Sequence, residues 1–320
     1  MNKIINAQCM CGHLLSKYKD ELVVILPCQH LIHSSCVHYI KNYKCPYCIK
    51  NIKNIRTYSE IVDIVKTTSN SRYYQIYVDM TSLINLDGTT EVNWFNFFLK
   101  IPSIIDTLCN IYLSQKKQDY NIVVDDILDA YNINLVIKNK EKLLPQNKVI
   151  IANHCNQLDS LPIFALTKCG FMGSITMKKS WVGNRLSKTF PMVLIERHKS
   201  YNTIKKIKRY MRKHGDICIF PEGVISHPKT LIRFRTGAFH LGYPVQPIII
   251  KYDPNIHEKD MTNYIIKFSS QNKLKIILTI LDPVYPPFTN EKIEMVRHAM
   301  AKAGDFALSR VSNRDLVDIL

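Results

Sequence analysis

Lys148-Val149-Ile150-Ile151-Ala152-Asn153-His154-Cys155-Asn156-Gln157-Leu158-Asp159 is the stretch from which the fold is read. Leu144-Pro145-Gln146-Asn147, just ahead of it, is a turn signal, and Lys148 to Ala152 is a short apolar run of strand type. The strand delivers His154 to its end. Asp159 follows with four residues between, as a helical pattern of Leu161, Ile163, Phe164 and Leu166 begins. A carboxylate about one turn from a histidine fixes the imidazole tautomer and stabilises the imidazolium that forms when a hydroxyl gives up its proton. The pairing predicts His154 as a general base oriented by Asp159.

Surface His/Asp pairs are common, so the pattern gains force from a second strand. Asp216-Ile217-Cys218-Ile219-Phe220 is another buried-strand run, and it ends in Pro221-Glu222-Gly223. With Val193-Leu194-Ile195-Glu196-Arg197 between the two strands and Tyr243-Pro244-Val245-Gln246-Pro247 after them, four blocks stand in order. In these blocks the chain resembles the glycerophospholipid acyltransferase superfamily. Phe234-Arg235-Thr236-Gly237-Ala238-Phe239 looks most like its lysophosphatidylcholine acyltransferase branch. The resemblance implies an α/β acyltransferase domain, a mixed sheet flanked by helices, over residues 116–320. It implies acyl-CoA as donor, the free hydroxyl of a lysophospholipid or related glycerolipid as acceptor, and Arg197, Glu222 and Gly223 as acceptor-binding residues. Arg197 suits a phosphate because its planar fork makes bidentate, charge-assisted bonds. Val224 stands where the family commonly has Thr, which bears on acceptor preference.

The 320-residue chain has room for one large domain and a small one, and its net charge of +17 favours an anionic partner. Aromatics interleaved with the basic residues are too few for a base-stacking surface, which places lipid ahead of nucleic acid. Six of the ten cysteines lie in the first 48 residues and the others are scattered, which is no disulfide framework. Clustered in this way, the six read as metal ligands in a reducing compartment.

Residues 1–53 hold Cys9, Cys11, Cys28, His30, His33, Cys36, Cys45 and Cys48, enough for two tetrahedral zinc sites. From Cys28 onward the spacing resembles a RING-H2 finger, which implies a small cross-brace domain. The resemblance puts Cys9, Cys11, His33 and Cys36 on one structural Zn2+ and Cys28, His30, Cys45 and Cys48 on the other. The Cys9-Met10-Cys11 pair has one intervening residue where that family usually has two, so Cys11 or His13 completes the first site. The same resemblance implies a ubiquitin-conjugating enzyme as partner, with Met10, Leu26, Pro27 and Pro46 at the contact positions. After Cys48 the chain lacks the arginine that many active ligases carry.

Residues 54–90 read as a connector. Residues 91–115 read as one amphipathic helix bent at Pro102, with Trp94, Phe98, Ile101, Ile105, Leu108 and Tyr112 in an apolar stripe that either lies in a membrane interface or packs on the acyltransferase core. Lys100 and Asp106 oppose a bilayer-spanning role, and no uncharged run reaches the ~18 residues of a membrane span. Further on, Leu135-Val136-Ile137 and Val149-Ile150-Ile151 read as adjacent strands, Ser200 to His214 as a strongly basic helix, and Glu291 to Ala303 as a closing helix. Peripheral or monotopic association with the cytosolic face of an intracellular membrane, reticulum-like or lipid-droplet-like, follows from this reading. A second reading keeps the acyltransferase fold for lipid binding and makes the chain a membrane-associated RING-type ubiquitin ligase or adaptor.

Overall fold

The computed structural model describes residues 9–13, 15, 22–28, 30–67, 72–83, 91–113, 120–179, 181–196, 200–256 and 261–313. They divide into two compact units, one of Met1–Gly88 with Lys229–Arg233 and Ala307–Leu320, the other of Thr89–Pro228 and Phe234–Phe306.

The first unit is built on an antiparallel sheet in which β1 (Leu22–Leu26) lies between β2 (His30–His33) and β3 (Asn54–Thr57). β1 is apolar throughout and buried throughout. β2 carries His30 and His33 three positions apart, so strand alternation sends them to opposite faces. Helix α1 (Tyr58–Thr67) starts in a capping box: Thr57 N–H donates to Glu60 Oε2 at 2.8 Å, and Glu60 N–H donates to Thr57 Oγ1 at 3.3 Å. On α2 (Arg72–Leu83), Asp79 binds the Arg310 guanidinium at 2.6 and 2.8 Å and the Ser309 hydroxyl at 2.9 Å.

The second unit opens with α3 (Trp94–Leu99), α4 (Ile101–Leu113) and α5 (Tyr120–Ala130). The single helix expected here is two, parted at Lys100. Pro102 lies in the first turn of α4, where its missing N–H has no intrahelical partner to lose. A seven-stranded mixed sheet follows: β4 (Ile133–Lys138), β5 (Val149–Ala152), β6 (Gly170–Ser174), β7 (Met192–Ile195), β8 (Ile217–Ile219), β10 (Val245–Asp253) and β11 (Leu274–Ile280). It is flanked by α6 (Ser160–Thr167), α7 (Trp181–Thr189), α8 (Ser200–His214), α9 (Met261–Ser269) and α10 (Asn290–Gly304). The short β9 (Thr230–Leu231) pairs with β12 (Ala307–Leu308) in the first unit.

The strand order is β4-β11-β10-β5-β8-β6-β7, with β10 and β11 antiparallel and the other neighbours parallel. β4 and β5 are therefore not adjacent, contrary to the sequence reading, because β10 and β11 from late in the chain insert between them. The central strands β5 and β8 are buried at every residue, as parallel strands covered on both faces must be. Lys148 and Asp216, just before these two strands, form a buried ion pair, and Lys148 N–H also donates to Asp216 Oδ1 at 3.0 Å. Removing one partner strands a charge in the core, so Asp216→Ala is expected to lower the stability of unfolding by roughly 3–5 kcal/mol, read by urea denaturation. A loss within a few tenths would show the pair to be solvated.

Candidate active site

Register brings the site together. In the parallel pair β5/β8, Val149 faces Ile217, Ile150 faces Cys218 and Ile151 faces Ile219. Continued three residues past the last of these pairs, the same offset sets His154 opposite Glu222. The backbone N–H of His154 donates to Glu222 Oε1 at 2.7 Å, and the other carboxylate oxygen accepts from Ser226 Oγ at 2.6 Å. Ser226 N–H returns a bond to the His154 carbonyl at 2.7 Å. On the other side of β5, the Asn153 amide clamps both backbone groups of Ile250 on β10, at 2.8 and 3.0 Å. The loop that carries His154 is thus tied to both neighbouring strands.

Asp159 occupies the N-cap position of α6 but does not cap it with its side chain. Its carboxylate turns back to the loop instead. Oδ2 accepts from His154 Nδ1 at 2.9 Å, Cys155 N–H at 2.8 Å and Asn156 N–H at 2.9 Å. Asp159 is 0% exposed and His154 is 22% exposed, so a buried anion holds an imidazole that reaches the surface. With Nδ1 donating to the carboxylate, Nε2 of the neutral ring is left as the proton acceptor. Phe220 stacks on the ring at 4.3 Å between centroids and 15° between planes, which fixes its tilt.

Cys155 is no rival nucleophile. It is buried, and burial first, then the charges of Asp159 and Glu222, push its thiol well above the usual range. Gly223 adopts φ +73°, a conformation that favours glycine, as the turn leaves Glu222. Glu222 is itself fully buried, with the His154 amide and the Ser226 hydroxyl on its two oxygens. Arg197 lies outside the described residues. Ser226 and Tyr252 carry no sequence signal, and Phe220, read from the sequence only as the end of a strand run, stacks on the histidine instead.

Residues 134–251 match the acyltransferase family model. They contain every residue of the site just described except Tyr252. Lysophosphatidylcholine acyltransferase 1 of Danio rerio is 30% identical over 50% of this chain and 35% of its own. Glycerol-3-phosphate acyltransferase 3 of Xenopus laevis is 26% identical over 52% of this chain and 41% of its own. The matched part is thus well under half of either relative. A 1-acyl-sn-glycerophosphate acyltransferase of Thermotoga maritima overlays with a TM-score of 0.47 at 16% identity, covering 66% of this chain and 92% of that one, too loose to carry an argument.

In the first unit the cysteines and histidines gather as two groups, Cys9, Cys11, His33 and Cys36 in one and Cys28, His30, Cys45 and Cys48 in the other. Within each group the ligand atoms lie within 4.8 Å of one another. Cys9 and Cys36 sulfurs are 3.5 Å apart, Cys11 Sγ is 3.3 Å from His33 Nδ1, and Cys45 Sγ is 3.2 Å from His30 Nδ1. Donors on a shared ion at the usual ~2.0–2.3 Å sit at such separations, so the residues fit two four-coordinate soft-metal sites.

Proposed function

We propose that this chain transfers an acyl group from acyl-CoA to the free hydroxyl of a lysophospholipid or related glycerolipid. The observation that carries the reading is the buried Asp159 carboxylate holding a surface-reaching His154, inside the stretch that matches the acyltransferase family model. Nε2 of His154 takes the hydroxyl proton as the oxygen attacks the thioester carbonyl. The tetrahedral adduct collapses, the C–S bond breaks, and the imidazolium returns its proton to the departing CoA sulfur. Asp159 stabilises the imidazolium between these steps without being protonated itself. Arg197 holds the acceptor phosphate, and Gly223 lets the acceptor approach the backbone closely. Glu222 supports that acceptor site from below, since both its oxygens are engaged by the loop. The N-terminal module carries two structural zinc ions on the two Cys/His groups.

The enzyme works at a membrane surface. No helix among the described residues is long and apolar enough to cross a membrane. The α3–α4 pair, however, is amphipathic: Asn96, Lys100 and Asn110 turn inward, while Asp106 stays exposed. Lys100 Nζ donates to the Gln271 carbonyl at 2.8 Å, Asn96 to the Ser270 carbonyl at 3.2 Å, and Asn110 to Asp126 at 2.9 Å. Trp94, Phe95, Phe98, Leu99, Ile105 and Tyr112 face outward, with Phe95 72% exposed. Large apolar side chains exposed along one helix pair fit an interaction site, and an amphipathic pair lying in the headgroup plane would bury them.

A panel of lysophospholipids with labelled acyl-CoA tests both points. Label is expected in the phospholipid product, from acceptor in vesicles and from a short-chain monomeric acceptor alike. Trp94→Ser with Phe98→Ser should lose the vesicle rate and keep the monomer rate. No labelled product from any acceptor ends the acyltransferase reading; equal loss on both acceptors, or on neither, ends the membrane reading.

A further inference from the structure

We infer that Tyr252 is a positioning residue for the His154–Asp159 pair, holding the far oxygen of the carboxylate so that the near one faces the imidazole. The inference rests on the acyl-transfer reading and adds to it a third side chain, supplied by a different strand. Tyr252 lies on β10, beyond the reach of the motif that carries His154 and Asp159. Its hydroxyl donates to Asp159 Oδ1 at 2.9 Å.

The carboxylate is served unequally. Oδ2 has three N–H donors, while Oδ1 has the Tyr252 hydroxyl and a long 3.9 Å contact from the Cys155 thiol. Without the tyrosine hydroxyl, one oxygen of a fully buried anion keeps only a weak sulfur donor. The carboxylate is then free to rock, and its charge gathers on Oδ2, against the imidazole. Burial first, and then the charge of Asp159, hold the Tyr252 phenol well above its ordinary range, so it remains a donor throughout the working pH range. Among the described residues, the titratable groups that face the pair include Cys155 on its own loop, Cys218 on β8, Glu222 beyond β8, Tyr252 on β10 and Tyr264 on α9.

The sign of the effect follows. Charge gathered on Oδ2 favours the protonated imidazole, so the pH at which kcat/KM half-rises should move up when the hydroxyl is removed. A rocking carboxylate also holds the ring less well, so kcat should fall by roughly tenfold, part of the ~10²–10⁴ that a general base supplies. Acceptor KM should stay within about twofold, because Tyr252 is buried and does not meet substrate.

The test is Tyr252→Phe, which removes one oxygen and keeps the ring. Rates are measured against pH, and the ring-nitrogen NMR resonances of His154 are compared with wild type. A lower kcat with unchanged KM, an upward shift of the profile and displaced His154 resonances are expected. Unmoved resonances and an unmoved profile, at a wild-type melting temperature, overturn the inference. A lower melting temperature with an unmoved profile shows tyrosine as packing only, and overturns it too. The NMR comparison needs no turnover, so a wild-type chain without acyl transfer would sink the functional reading and still leave the tyrosine contact decided.

Discussion

His154→Ala is expected to remove acyl transfer almost completely, by ~10²–10⁴-fold in kcat/KM, with the fold retained. The loss is large because none of the described residues that contact the pair can replace the base. Cys155 is a buried thiol, and Asp159 is fully buried, with both oxygens engaged. Fold retention follows from how the loop is held. Glu222 binds the backbone N–H of residue 154 and Ser226 binds its carbonyl, contacts that an alanine keeps. Asn153 still clamps β10. The variant leaves Asp159 with its two backbone donors and Tyr252, so the buried charge is not orphaned. Circular dichroism and melting temperature should match wild type within a few degrees. Retained turnover in a well-folded variant would remove His154 from the chemistry.

Cys45→Ser is expected to have the largest effect on stability. Cys45 is buried in the group with Cys28, His30 and Cys48. If zinc occupies this group, as proposed above, it supplies the cross-link here, and structural zinc typically contributes roughly 10–16 kcal/mol of folding free energy at pH 7. The sheet beside the ligands, which itself carries His30 and His33, has three short strands of five, four and four residues, too little to stand without a staple. Metal analysis should give about two zinc ions per chain in wild type and about one in the variant. Residues 22–57 should lose hydrogen-exchange protection in the variant and in a chelated sample. A wild-type chain that binds no zinc, or a variant as protected as wild type, contradicts the assignment.

The parts of the site legible in the sequence are those set by local rules. A strand that ends two residues before His154 and a helix that starts after Asp159 both follow from apolar runs and punctuation. What escaped reading depends on which strands pair. β10 and β11 come from the last third of the chain, and their insertion beside β5 is invisible to periodicity. Tyr252 was therefore missed, although Ile248, Ile250 and Tyr252 alternate onto one face of β10 and share a core cluster with Cys155. Glu222 was placed beside the acceptor on its motif alone, because burial cannot be read from a motif. The stripe on α3 and α4 was readable, whereas its outward direction came only with the inward bonds of Asn96 and Lys100.

Acceptor-dependent release of CoA thiol tests the central claim most directly, measured on the wild-type chain with and without lysophospholipid while acylated lipid is counted in the same tube. Thiol should be released one for one with new phospholipid, with little release when acceptor is withheld. Thiol release that ignores the acceptor, or none at all from a folded, zinc-loaded chain, would contradict it.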